Sequence, residues 1–163
     1  MQTENFITPN PGEYWHGQGG IYIGPALESN QLIHIVMATT AFKGTWGNYG
    51  TTIEGEFSYS DGKHNTQLIL AAEPENKLLL EITQHEADGH TDFYLPANFE
   101  NNLIKANASQ HVEKKWHWSS TQYSAYDAWC QDFEDGYQFI GSKRSTLAAR
   151  AVRRVYPLSN STI

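Results

Sequence analysis

At 163 residues with a net charge of −7 and a pI near 5.4, the chain fits one domain, long enough to bury about two-thirds of the surface its unfolded form exposes. Aromatic residues make up 13% against 18% charged, which excludes a disordered chain, and the acidic balance argues against nucleic acid or an anionic membrane as partner. The single cysteine, Cys130, excludes an intrachain disulfide, a cysteine zinc site and a redox pair, and a free thiol fits a reducing cytosol or a virion assembled in one.

Residues 1–14 carry Pro9, Pro11 and Gly12 among polar neighbours and predict an extended leader. That stretch has neither a basic start nor an apolar run, so no secretory signal and no membrane insertion are expected. Gly17 to Gly20 reads as a turn before a short strand, Ile21–Ile23; the spacing lacks the lysine and helix of a phosphate loop. Leu32 to Ala38 is the most apolar run and predicts a central strand, with His34 as a hydrogen-bonded core residue. Phe42–Trp46 and Thr51–Phe57 add two strand candidates, joined by Gly47–Gly50.

Asp61 to His64 reads as a turn, with Asn65 capping a helix from Thr66. Leu68, Ile69, Leu70 and Ala72 suit that helix, Pro74 marks a break or a new first turn, and Leu78, Leu79, Leu80 and Ile82 continue the spacing toward His85. Glu73, Glu75, Glu81 and Glu86 are expected on its solvated side. Phe93–Leu95 predicts a strand stopped by Pro96, and Asn98 a cap for a second helix through Phe99, Leu103, Ile104 and Ala106.

From Lys114 to Val155 aromatic residues alternate, and Ser119–Gln122, Glu134–Gly136 and Gly141–Lys143 read as turns of a compact antiparallel unit. Trp116, Trp118 and Trp129 are expected to be mostly buried, with Trp129, Gln131 and Phe133 toward the core and Cys130 on the other face. Leu147 to Val155 predicts one last strand whose Arg150, Arg153 and Arg154 pair with acidic side chains. The expected architecture is α+β: one domain over 15–157, two helices on a twisted, mostly antiparallel sheet, and a flexible tail over 158–163.

Candidate chemistry is sparse. His85 and His90 are five apart across a helix end, a spacing that does not bring two imidazoles onto one metal. Ser119, Ser120 and Thr121 lie beside His117 but without a nucleophile elbow, and their hydroxyls are expected to bond backbone. Asp132, Glu134 and Asp135 form an acidic hairpin for which a calcium ion stays an open alternative to plain solvent exposure. No cofactor and no enzymatic activity are expected.

The order W-x-W-S-S-T-x-Y-S at Trp116–Ser124, A-W-x-x-x-F-x-D-G at Ala128–Gly136 and R-A-V-R-R at Arg150–Arg154 resembles the Lcl C-terminal domain family of phage and bacterial proteins. Asp88–Pro96 extends the likeness, and Gly17–Gly24 and Asp61–Thr66 resemble the front end of phage-encoded members, about two-thirds of the chain in all. Asn98-Phe-Glu100 stands where that family often carries a charged R-R-E stretch, so no role of those charges transfers. The resemblance implies a C-type-lectin-like fold, with the last strand, Ala149 to Val155, pairing an early strand near Ile21 and closing the termini together. It also implies a binding surface on the C-terminal strands and loops, at Tyr123, Tyr126, Asp127, Asp132, Tyr137, Phe139 and Lys143, to which the hairpin adds Glu134 and Asp135. Sugar-binding lectin signatures are missing, and the paired cysteines of formylglycine-generating enzymes cannot be supplied. The expected partner is a protein or surface ligand of a bacterial host, met from a virion or in the host cytoplasm, with homo-oligomerisation left open. An acidic phage protein that blocks a host antiviral defence component is the alternative.

Overall fold

The computed structural model describes residues 7–157, so the tail expected over 158–163 and the first six residues of the leader lie outside the described residues. Two sheets form an α+β fold. The first has the order β1 (Tyr14–Trp15), β2 (Gly20–Glu28), β3 (Gln31–Met37) and β9 (Val152–Val155), all antiparallel. The second runs β4 (Phe42–Gly44), β8 (Leu147–Ala149), β5 (Trp116–Gln122), β6 (Asp127–Asp132) and β7 (Gln138–Ser142), antiparallel except for one parallel bridge between β5 and β8. Ser29 and Asn30, both at positive φ, close the β2–β3 hairpin in the conformation that matches the right-handed twist of paired strands.

The helices number three rather than two among the described residues: α1 (Gly62–Ala72), α2 (Lys77–Thr83) and α3 (Asn98–Ala108). Pro74 separates the first two, and each gets its own cap, because Asp61 accepts the His64 N–H and Asn76 the Leu79 N–H. Asp61 therefore caps α1, not Asn65, whose buried amide instead bonds Ser58 and Ser120. Glu73 is not on the solvated side either. It is buried, and its Oε1 accepts the Asn48 N–H at 2.8 Å.

Three strand expectations change. Thr51–Phe57 forms no strand, since the Gln122 side chain bonds both the N–H (2.9 Å) and the carbonyl (3.0 Å) of Ile53 and does the work a ladder would do. Phe93–Leu95 contributes a single bridge, Tyr94 to Val152. The last strand is divided: β8 and β9 belong to different sheets, with Arg150 and Ala151 crossing between them. β9 pairs with β3, one strand away from β2, so β1 and β9 lie at opposite edges of one sheet.

Ser119–Gln122, expected as a turn, lies inside β5. Its hydroxyls are buried and fasten helices to the sheet: Ser119 Oγ donates to Asn98 Oδ1, Asn65 Nδ2 donates to Ser120 Oγ at 3.1 Å, and Thr121 Oγ1 donates to the Ser58 carbonyl at 2.9 Å. Two apolar cores result. One joins Trp46, Ile69, Leu79, Ile82 and Trp118; the other joins Ile23, Ile35, Tyr94, Ile104 and Phe133.

A buried polar chain runs through Tyr94 of the second core. Arg154 on β9 donates from Nε to Tyr94 Oη at 3.1 Å, from Nη2 to Asp61 Oδ1 at 2.7 Å, and pairs through Nη1 with Glu28. Tyr94 in turn donates to Glu100, whose Oε1 accepts the Gly62 N–H (2.8 Å) and the Ala97 N–H (3.0 Å). Arg153 pairs with Asp92 at 2.6 Å, while Arg150 forms no ion pair among the described residues and donates to the carbonyls of Thr39 and His111. Burial pushes the Glu100 carboxyl up to about 7, against those hydrogen bonds and Arg154, which pull it down. A raised folded-state pKa means the proton stabilises the fold fully below the ordinary value of 4.5 and that contribution is lost as pH rises through about 7. Urea unfolding at pH 5 and pH 8 should show the parent protein losing about 2–3 kcal/mol more than Glu100→Gln over that interval. Equal losses in both would exclude a coupled proton at this site.

Candidate functional site

The register of the second sheet sets Trp116 beside Asp132, Trp118 beside Cys130, and Cys130 beside Phe139, so Trp116, Trp118, Cys130, Asp132, Tyr137 and Phe139 share one face. The inner half of this face is covered: Trp118 is fully buried and its Nε1 donates to the Gly44 carbonyl at 2.9 Å. The outer half is open. Tyr137 and Phe139 are 60% and 53% exposed, stacked with ring centroids 6.1 Å apart, and Trp116 meets Tyr137 edge-on at 6.5 Å.

The hairpin below this patch is fixed by its own carboxylates. Asp132 Oδ1 accepts the Glu134 N–H at 3.0 Å, Asp135 Oδ1 accepts the Tyr137 N–H at 2.8 Å, and Gly136 supplies the positive φ the turn requires. Lys105 Nζ donates to the carbonyls of Phe133 and Glu134, holding the turn to α3. A shallow groove continues past Trp116 and Asp132 to Leu147 and Ala148, with Lys115 on its rim. Two rigid, exposed rings next to carboxylates suit stacking and hydrogen bonding to a partner, and no nucleophile and base are paired among them.

The other expected site residues divide among different places. Tyr126 is half exposed and packs on Tyr49, over whose ring the Arg144 guanidinium lies at 4.1 Å. Tyr123 meets Trp129, which also meets Tyr59, on the opposite face of the sheet. Asp127 is half-buried at the β6 start, where its N–H donates to Ser124 Oγ. Lys143 is inside the protein, not on its surface: its ammonium donates to the Thr51 carbonyl (3.1 Å) and Gln122 Oε1 (2.8 Å) and lies over Trp46, and burial lowers its pKa. Thus Asp132, Glu134, Asp135, Tyr137 and Phe139 come together, joined by Trp116, which sequence alternation had placed in the core.

The facing of β6 also differs from expectation. Cys130 points into the core against Trp118, and burial pushes its thiol up to about 12, so it is unreactive. Trp129 is half-buried on the other side, while Gln131, fully buried there, donates to Asn102 on α3. Both faces of this strand are covered because helices and the Gly44–Trp46 segment pack from opposite sides.

His85 packs between Phe42 and Phe93, whereas His90 contacts the Gly17 carbonyl through Nε2 at 2.8 Å. Asp88, between them, accepts from Tyr14 Oη and the N–H groups of Gly17 and Gly19, and these bonds hold its carboxyl below the usual range. Among the described residues no group of three or more His, Cys, Asp or Glu side chains is arranged to hold a metal ion. His34 bonds Tyr22 Oη at 2.8 Å.

The geometry defines a two-sheet α+β domain with an open aromatic face at Trp116, Tyr137 and Phe139, while Tyr59 and Tyr123 are also exposed around Trp129 on the opposite face. No family model matches the chain, and no curated protein does. Among solved structures, a fimbrial protein from Bacteroides ovatus ATCC 8483 is similar with a TM-score of 0.52 at 14% identity, over 73% of this chain and 35% of that one. This chain therefore spans about a third of that protein's length, and the likeness is one of fold.

Core and surface roles separate by mutation. Trp118→Ala should cost about 3–5 kcal/mol of folding free energy, the usual cost of deleting a buried large aromatic. Tyr137→Ala should cost under about 1 kcal/mol, because most of that ring is already in water. Chemical denaturation of both variants checks this.

Proposed function

We propose that this protein is a non-enzymatic, C-type-lectin-like recognition module of phage or prophage origin, which binds a protein or surface ligand of a bacterial host. The contact surface is the Trp116, Tyr137 and Phe139 face with its Asp132 to Asp135 hairpin. The observation that carries this reading is the pair of stacked rings held in water by a fixed turn, since an ordered exposed aromatic cluster is costly unless a partner covers it. The fold assignment rests on the motif likeness at Trp116–Ser124, Ala128–Gly136 and Arg150–Arg154 and on the first and last strands sharing one sheet.

Charge distribution favours a second version, a free protein that blocks a host component such as an antiviral defence factor. Lys143, Arg150, Arg153 and Arg154 are buried, so four of the 11 basic side chains leave the surface, while among the described residues only Glu73 and Glu100 of the 18 acids do. Arg153 and Arg154 offset Asp92, Glu28 and Asp61, and the acids that remain unpaired would steer the protein onto a basic partner.

Mass spectrometry of purified virions separates the two versions: the protein is in the particles in the first and absent in the second. For either, affinity for a partner captured from host lysate should fall by about 1–3 kcal/mol in Tyr137→Ala and in Asp132→Ala, with folding stability nearly unchanged. Undiminished binding in both would move the site away from this face, and the acidic side of α2, with Glu75, Glu81 and Glu86 around it, would be the next surface to test.

A further inference from the structure

β7 is the outer strand of the second sheet, bonded to β6 only. We propose that β7 pairs antiparallel with β7 of a second copy of this chain, with Phe139 opposite Phe139, joining two five-stranded sheets into one.

The free edge is specific. In the ladder with β6, Lys143 N–H donates to the Tyr126 carbonyl and Asp132 N–H to the Tyr137 carbonyl, so the odd-numbered residues of β7 face β6. Gln138 and Ile140 therefore turn their N–H and C=O groups outward, and no strand in the described residues meets them. Natural sheets block such an edge with charges, proline or a bulge. Here Tyr137-Gln-Phe-Ile-Gly-Ser142 contains no charged residue and no proline, and its register with β6 is unbroken. The other edges are shorter or occupied. β1 has two residues and β4 three, and β9 is bridged on its outer side by reciprocal Tyr94–Val152 bonds of 2.9 and 3.0 Å.

The strand is also complementary to itself in the opposed direction. Pairing about Phe139 sets Gln138 opposite Ile140 of the second copy, twice over, so the outward groups of both residues bond reciprocally and none is left over. Tyr137 then lies across from Gly141 of the second copy, a large side chain against a missing one, and the two exposed Phe139 rings meet at a non-hydrogen-bonded position, where side chains approach most closely. The pair would present both aromatic faces on one continuous surface.

Sedimentation velocity of the isolated protein, from micromolar to millimolar concentration and without any host ligand, tests this separately from the recognition reading. The mass should rise from 18.4 kDa toward twice that value, with the Gln138 and Ile140 amides gaining hydrogen-exchange protection over the same range. Phe139→Lys, which sets like charges opposite each other on an exposed position, should weaken association about tenfold or more while the melting temperature holds. A monomer at every concentration, with both amides still unprotected, would leave this edge to a strand of another protein and overturn the proposal. A dimer insensitive to Phe139→Lys would overturn it too.

Discussion

The hydrogen-bonded chain Arg154–Tyr94–Glu100 is the constraint on which the rest of the fold depends. A guanidinium and a carboxyl placed in an interior cost several kcal/mol each unless their bonding positions are filled, and here they are filled by groups from separate parts of the sequence. Arg154 reaches Glu28 at the end of β2 and Asp61 at the start of α1, while Glu100 takes the backbone N–H groups that open α1 and precede α3. One network therefore fixes how two helix N-termini meet the sheet that contains β9. Gly62 has to be glycine for this, because a Cβ there would come within 2.6 Å of Glu100 Oε1 and 2.4 Å of the Leu95 carbonyl.

The same logic operates on the other sheet with neutral groups. β5 carries Ser119, Ser120 and Thr121 at positions buried among Asn65, Asn98 and Ser58, and each hydroxyl finds a partner. These residues look like a turn because serine and threonine ordinarily compete for backbone bonds in turns. Inside a strand covered by two helices they serve as fasteners instead. Apolar packing supplies most of the driving force, but it is non-directional, and the polar bonds specify which helix end meets which strand.

What remains exposed after these constraints are met defines the surface available for function. The Gly44–Trp46 segment covers Trp118 but reaches no further along the sheet, so Tyr137 and Phe139 stay in water at the outer strand. The hairpin from Asp132 to Tyr137 holds them there through side-chain bonds to its own backbone. The proposed recognition and self-association share Phe139 at this margin of the sheet, and the pairing adds the outward backbone of Gln138 and Ile140.

Local pattern determined a good deal by itself. The apolar run at Leu32 to Ala38, the helical spacing around Ile69 and Ile82, and the alternation through Trp116 to Phe139 mark strands and helices correctly, because burial of one face imposes its period on the sequence. The resemblance at the C-terminal motifs, not the alternation, pointed to Tyr137 and Phe139 as surface, since alternation alone reads both rings as a buried face. Only the tertiary structure decided the rest. It buried Lys143 over Trp46 and turned Cys130 inward and Trp129 half outward, since a strand covered on both sides carries no alternation that tells one face from the other. It split the final strand at Arg150 between two sheets and set β9 against β3 rather than β2, because strand order depends on contacts more than 100 residues apart in sequence, such as His34 with Val155, that no local spacing encodes.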